Sequence, residues 1–498
     1  MHQQTRPDFA DLKQKSVTGA FWTFGAQGGK LALQMVSVVA MARLLTPEDY
    51  GVFGMAAVFT QLVFVVKDLG LSQAAVQKKD LSPEESSALF WINVLFVLAL
   101  SALCCLLAPA ASTFYGDPRI AAVVMVSSLG NVLVGFSAQH KALLQRRLRM
   151  RELSIVEIVS KALSLVAGIL AALAGLGYWA LVLATIADAL VHTLLLWGFC
   201  RWIPRLVSLR HGAQCLRFGL DVAGFGLLNF FARNLDRILI GKFHPVAAVG
   251  FYNKAYQTVT FPLQHVRGPI LQVAAPALAR LQDDPERFRN YYRRFLAVLA
   301  FASMGPIALA VPLAEELVAV VLGDQWLPAA PTFSLLALSA LIQPVASSRG
   351  TVLVAAGKSR TYFVWGVVNT VCTAIAFAVS APIGIEAVAL AYAVVNYGIL
   401  YPSWRFFLDG TPVGWADFVA ASWRSFLGAV VVVAAGFLFK ALAVPHGTGA
   451  LVSLLSCSAA CLAAWALYWL LVPGGRAFLR TLGSDLGVAF SRFKGRQA

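Results

Sequence analysis

Apolar runs long enough to cross a bilayer, separated by short polar or Pro/Gly-marked connections, recur along almost the whole chain. Read between that punctuation, the pattern predicts helices over 17–44, 50–72, 87–110, 119–140, 154–174, 177–199, 217–242, 247–274, 292–313, 328–350, 360–382, 385–405, 419–443 and 448–472. Each approaches the roughly 20 residues that a helix needs to span the hydrocarbon core, so the expected fold is an all-α polytopic membrane protein with about 14 transmembrane helices. The first run follows a polar head and far exceeds a signal-peptide core, which predicts a retained first helix.

Composition agrees with this reading. Of 498 residues, 59% are apolar and only 13% charged, and the mean hydropathy is +0.73. That leaves too little polar surface to coat water-soluble cores. The net charge of +16 follows from topology. Thirty of the 40 Lys and Arg fall in the head, the tail and alternate connections on one side, five fall on the other side and five inside the predicted spans. Basic residues near span ends concentrate in the cytoplasm, so both termini are expected there. Charge spread over every inner connection, with none gathered on one face, argues against a nucleic-acid partner.

The seven cysteines form no CxxC pair and have no His at ligand spacing, so they read as small hydrophobes, and no metal or cofactor is expected. The lure of a nucleotide loop at 356–359 fails, because the required glycine five places before Gly357 is Val352. Segment 200–216, with Trp202, Leu206 and Leu209 among Arg201, Arg205 and Arg210, reads as an interfacial stretch.

Two stretches, 45–56 and 243–255, share a pattern in which a proline (Pro47, Pro245) precedes by four or five residues a glycine (Gly51, Gly250) and an aromatic that open the next helix. Further on, Ser82-Pro83-Glu84-Glu85 and Asp284-Pro285-Glu286 each place Pro in a first helical turn with carboxylates at its positive end. Repeats six helices apart begin on the same side of the membrane, which predicts two parallel six-helix bundles, 1–200 and 201–409. Residues 410–498 then form an appended two-helix hairpin and a basic cytoplasmic tail. Transporters commonly have such internal symmetry.

Ionisable residues inside spans are costly and normally face a partner or a cavity. On ideal helical geometry Gln27, Lys30 and Gln34 share an arc of about 60°, Asn229, Arg233, Asp236 and Arg237 one of about 100°, and Asn253, Gln257, Gln264 and Arg267 one of about 80°, with Lys254 beside the last. These stripes predict a water-filled cationic cavity. Glu157 with Lys161, and Asp188 with His192, are four apart, so each couple shares a face and either forms a neutralising pair between packed helices or takes part in ion coupling. Asp236 joins them as a candidate coupling residue.

The segment Ala42–Ala56 (ARLLTPEDYGVFGMA), with 68–71 (DLGL) and 89–93 (LFWIN), resembles the opening of bacterial polysaccharide-biosynthesis membrane proteins of the Wzx type. Residues 142–146 (ALLQR), 175–181 (GLGYWAL), 234–237 (NLDR) and 250–252 (GFY) fit the same group, and the match runs over most of 15–410. The resemblance places the chain in the multidrug/oligosaccharidyl-lipid/polysaccharide transporter superfamily, in the branch serving xanthan-like exopolysaccharides. It implies two six-helix bundles around a central cavity, location in the bacterial inner membrane, and no enzymatic activity. The implied function is to flip undecaprenyl-diphosphate-linked oligosaccharide from the inner to the outer leaflet, among membrane lipids and with polymerase and export components of a polysaccharide pathway as partners.

On that reading Lys30, Gln34, Arg233, Asn253, Lys254, Gln257 and Arg267 are the candidate substrate-binding residues, with the cations on the diphosphate or on acidic sugars. Competing readings are a drug or cation antiporter of the same superfamily, which would favour acidic over basic cavity residues, and a membrane-embedded polymerase or ligase, which would expose a large outer loop. A nontransporting scaffold is a third.

Overall fold

The computed structural model describes residues 9–66, 75, 76, 78, 81–209, 230, 234–443, 445 and 449–494. All of the regular structure in them is helical. The helices are α1 (Phe9–Leu44), α2 (Pro47–Val66), α3 (Pro83–Tyr115), α4 (Arg119–Arg146), α5 (Met150–Leu173), α6 (Trp179–Cys200), α7 (234–243) and α8 (Val246–Arg280). They continue with α9 (Pro285–Ala310), α10 (Ala314–Val321), α11 (Ala330–Ala346), α12 (Ser348–Ala355), α13 (Ser359–Ser380), α14 (Ile385–Gly398), α15 (Leu400–Phe407), α16 (Trp415–Ala443), α17 (Ala450–Leu471) and α18 (Gly475–Lys494). Ten stretches among the described residues are long and apolar enough to cross a membrane. Helices α1, α2 and α8 are not among the ten, and α1 and α8 are two of the helices with polar stripes.

Local chemistry sets the helix starts. Ser82 and Glu85 form a reciprocal capping box ahead of α3, with Pro83 in the first turn. Asp284 accepts the Arg287 amide ahead of α9, again with proline next in the chain. Three expectations shift. The run 328–350 is divided, into a 3-10 turn over Asp324–Ala329, then α11 and α12 with Ser347 between them. The run 385–405 is likewise split between α14 and α15. Residues 475–494, read as tail, form α18, whose Phe478 packs on Phe301 and Trp469 and whose Asp485 pairs with Arg294 at 2.5 Å.

The chain divides into two compact units, Met1–Gly250 and Phe251–Ala498. In the first, α5 packs on α1 and α6, α6 on α4, and α4 on α3 and α2. Small and polar residues mediate these approaches. Ser164 donates to the Ala184 carbonyl at 2.7 Å, Thr193 to Leu133 at 2.8 Å and Asn131 to Thr60 at 3.0 Å, giving helix-to-helix bonds of the kind that an apolar medium favours.

The two copies of the Pro/Gly motif meet directly. A Cβ on Gly51 would run into the Val246 carbonyl, and one on Gly250 into the Pro47 carbonyl, so each glycine admits the other copy's backbone. Of segment 200–216, expected at an interface, residues 210–216 lie outside the described residues; 201–208 has no regular structure, and its backbone is held by Trp91, His140 and Ser87, while Ile203 and Leu206 are exposed.

In the second unit α9 is the hub, packing on α11 and α16. The appended helices are integral to this unit. Gly305 of α9 and Gly428 of α16 both lie against Trp465 of α17, and Asp417 at the start of α16 takes Arg293 of α9 at 2.5 Å. Outward positions such as Leu106, Ile375, Val379 and Leu438 are exposed and apolar, as lipid-facing residues should be.

Candidate functional site

Within the first unit, five ionisable side chains from four helices converge. Lys30 of α1 donates to Glu157 of α5 at 2.8 Å, and Lys141 of α4 approaches the other oxygen of the same carboxylate at 3.6 Å. Lys161 of α5 donates to Asp188 of α6 at 2.7 Å. His192 is near enough to act on Glu157 electrostatically. Packing explains the partners: α1 and α6 both lie on α5, so Glu157 and Lys161 each find an opposite charge on a different neighbour.

Spacing alone puts Glu157 with Lys161, and Asp188 with His192, on shared faces; the ion pairs that Glu157 and Asp188 make with lysines run between helices. Lys141 was missed because α4 was expected to end at residue 140, and the helix in fact continues to Arg146.

The cluster is neither buried nor simply solvated. The side chains of Glu157 and Asp188 retain 31% and 27% of their exposure, and Lys30 retains 30%. Three lysines face two carboxylates, which leaves one positive charge in excess. Charges in hydrophobic helices are stable where they are paired and bordered by water, and an accessible set with surplus cation can take up an anion. One Asp188 oxygen is bonded by Lys161, while Oδ1 is buried and has no hydrogen-bond partner among the described residues.

The other candidates are placed as follows. Gln27 and Gln34 are exposed on α1, on the same helix as Lys30. Asp236 is buried on α7, accepting from the Arg237 amide at 2.8 Å. Asn229 and Arg233 lie outside the described residues. In the second unit, Gln257, Gln264 and Arg267 are exposed and Asn253 is half-buried. Lys254 is only 2% exposed, and its ammonium lies 5.8 Å from the Trp326 ring inside its own unit.

The second unit's own ion pairs are of another kind. Asp417 takes Arg293 and also accepts the Gly414 amide, which fixes the start of α16. Glu316 takes Lys440 at 2.9 Å and Ser453 at 3.0 Å, tying α10 to α16 and α17. Arg349 is enclosed by Ser403 and the Trp365 ring, its guanidinium 4.1 Å from the ring centroid.

Comparison with known proteins agrees with the architecture. The family described as polysaccharide biosynthesis protein matches residues 40–331. The lipopolysaccharide biosynthesis protein WzxC of Escherichia coli (strain K12) is 25% identical over 366 residues, covering 72% of this chain and 74% of its own. The succinoglycan biosynthesis transport protein ExoT of Rhizobium meliloti (strain 1021) is 28% identical over 407 residues, covering 80% and 82%. Among solved structures, the lipid II flippase MurJ in an inward closed conformation superposes with a TM-score of 0.69 at 12% identity, covering 91% of this chain and 99% of its own. An inward-facing multidrug resistance MATE family transporter gives 0.61 at 10% identity, covering 80% and 94%. These two likenesses concern the fold. The chain is a multi-pass membrane protein that belongs to the polysaccharide biosynthesis protein family.

Proposed function

We propose that this protein flips undecaprenyl-diphosphate-linked oligosaccharide repeat units from the inner to the outer leaflet of the bacterial inner membrane, with both termini in the cytoplasm, for exopolysaccharide or lipopolysaccharide assembly. The observation that carries the reading is the half-exposed set of three lysines and two carboxylates among otherwise apolar helices. Family membership supports it, as do relatives named for lipopolysaccharide biosynthesis and succinoglycan transport.

The chemistry of the substrate makes the same demand. Each sugar hydroxyl moved unpaired into hydrocarbon costs a few kcal/mol, and a diphosphate adds charge, so unaided transfer is prohibitively slow. A polar path removes that cost for the head group while the polyprenyl tail stays in lipid. On this reading Lys30, Lys141 and Lys161 meet phosphate oxygens, because a lysine ammonium is a compact, mobile donor for such groups. Gln34 supplies a hydrogen-bonding side chain on the same helix as Lys30, and Arg233, Asn253, Lys254, Gln257 and Arg267 remain candidates for substrate binding on sequence grounds. Alternate opening of this path to either leaflet completes the cycle.

The test is transfer of a fluorescent polyprenyl-diphosphate oligosaccharide across vesicles containing the purified full chain. Protein-dependent appearance of label in the opposite leaflet is expected. If transfer equals that of protein-free vesicles for every such lipid, the proposal is wrong.

A further inference from the structure

The lysines assigned to the diphosphate are already engaged by carboxylates. Lys30 meets Glu157 at 2.8 Å and Lys161 meets Asp188 at 2.7 Å, separations that an ammonium would equally adopt with a phosphate oxygen, and Lys141 stands by at 3.6 Å from Glu157. We infer that Glu157 and Asp188 are built-in competitors of the substrate, internal anions that hold the lysines until the diphosphate displaces them, and that they thereby set affinity and release. This inference rests on the flippase reading above.

Three features single out these two residues. First, both carboxylates remain about one-third exposed, so an incoming anion can reach the pairs, whereas the carboxylates of Asp417 and Glu316 are each only 8% exposed. Second, the pairing is distributed. Had Glu157 taken the lysine one turn along its own helix, the pair would be local and Lys30 would be left to others. Instead Glu157 reaches lysines of α1 and α4, and Asp188 reaches one of α5, so a displacing ligand is gripped by several helices at once. Third, the two competitors are unequal. Glu157 holds two lysines, while Asp188 holds one and keeps Oδ1 without a hydrogen bond.

The functional consequence follows from competition. A flippase must release its head group on the far side, and a cationic site without its own anions would retain a diphosphate. An internal carboxylate lowers affinity by the free energy of the pair it forms, and speeds release by reclaiming the lysine.

The experiment measures equilibrium binding of radiolabelled undecaprenyl diphosphate to the full chain in nanodiscs, with undecaprenol as the phosphate-free control. Glu157→Gln is expected to lower the apparent Kd for undecaprenyl diphosphate by about fivefold and Asp188→Asn by about twofold, in line with the worth of half-exposed ion pairs. Glu157→Asp keeps the charge and stays near wild type, and the affinity for undecaprenol is unchanged throughout. A purely structural role would weaken or leave unaltered the binding in both neutral variants, and that result overturns the inference while leaving the flippase reading intact. If wild type itself discriminates no better than protein-free nanodiscs, the flippase reading fails and takes the inference with it. Should Glu157→Gln not insert, Asp188→Asn carries the same test through Lys161.

Discussion

Two pairs of carboxylates, one pair in each unit, are used in opposite ways. In the second unit Asp417 and Glu316 are enclosed, and each also accepts a neutral hydrogen bond, from the Gly414 amide and the Ser453 hydroxyl respectively. In the first unit Glu157 and Asp188 pair with lysines, with a substantial part of each carboxylate open. An enclosed and doubly satisfied carboxylate fixes helices in place, because withdrawing it strands its cation. An open one contributes little to stability but leaves its lysine available to another anion. Identical chemistry thus serves as a clamp in one place and as an exchangeable contact in the other, and burial decides which.

The comparison breaks if the stability effects do not follow that order. Asp417→Ala should have the largest effect, about 2 kcal/mol after allowing for the half-exposed Arg293 and Arg289, because it loses both the interhelical pair and the start of α16. Thermal unfolding in detergent reads this directly, and transport per folded molecule should be unaltered. Glu316→Ala should follow with about 1 kcal/mol, since Glu315 stays at 2.9 Å from Lys440 and only the Ser453 hydroxyl is left without its acceptor. Glu157→Ala should cost well under about 1 kcal/mol of stability in the same assay. A larger loss there than at Asp417 would reverse the assignment of clamp and contact.

The smallest effect lies in the connection between α3 and α4. The hydrogen bond from Arg119 holds the Asp117 carboxyl below the ordinary carboxylate range. A depressed folded-state value means that this contribution is present above the unfolded pKa and is lost as pH falls through the folded one. Wild type and Asp117→Asn should therefore differ in Tm at neutral pH and converge as pH falls through the lowered carboxyl value.

Much of this was legible in the chain. Run length and hydropathy anticipated an all-helical membrane protein, and the Ser82 and Asp284 caps stand where Pro and carboxylate spacing put them. Periodicity along one helix could assign Lys30, Glu157, Lys161 and Asp188 to faces, but not choose their partners, since that depends on α1 and α6 both packing on α5. Lys141 stayed hidden because hydropathy falls before the helix ends. Lys254 looked equivalent to its neighbours on α8, and only the position of Trp326 shows it to be enclosed. Helix α18 carries too much charge for a span, and its order comes from contacts with Phe301, Trp469 and Arg294 that no local pattern announces.

The most direct test of the central claim compares translocation of polyprenyl-diphosphate oligosaccharide by wild type, by the Lys30→Ala and Lys161→Ala double variant, and by Asp417→Ala at equal amounts of inserted protein. The account predicts that the lysine double variant loses transport by about tenfold or more, as expected when charged contacts to phosphate are removed, while Asp417→Ala transports normally at temperatures where it is folded. Unimpaired transport by the double variant would contradict the assignment of the open lysine–carboxylate cluster as the path of the head group.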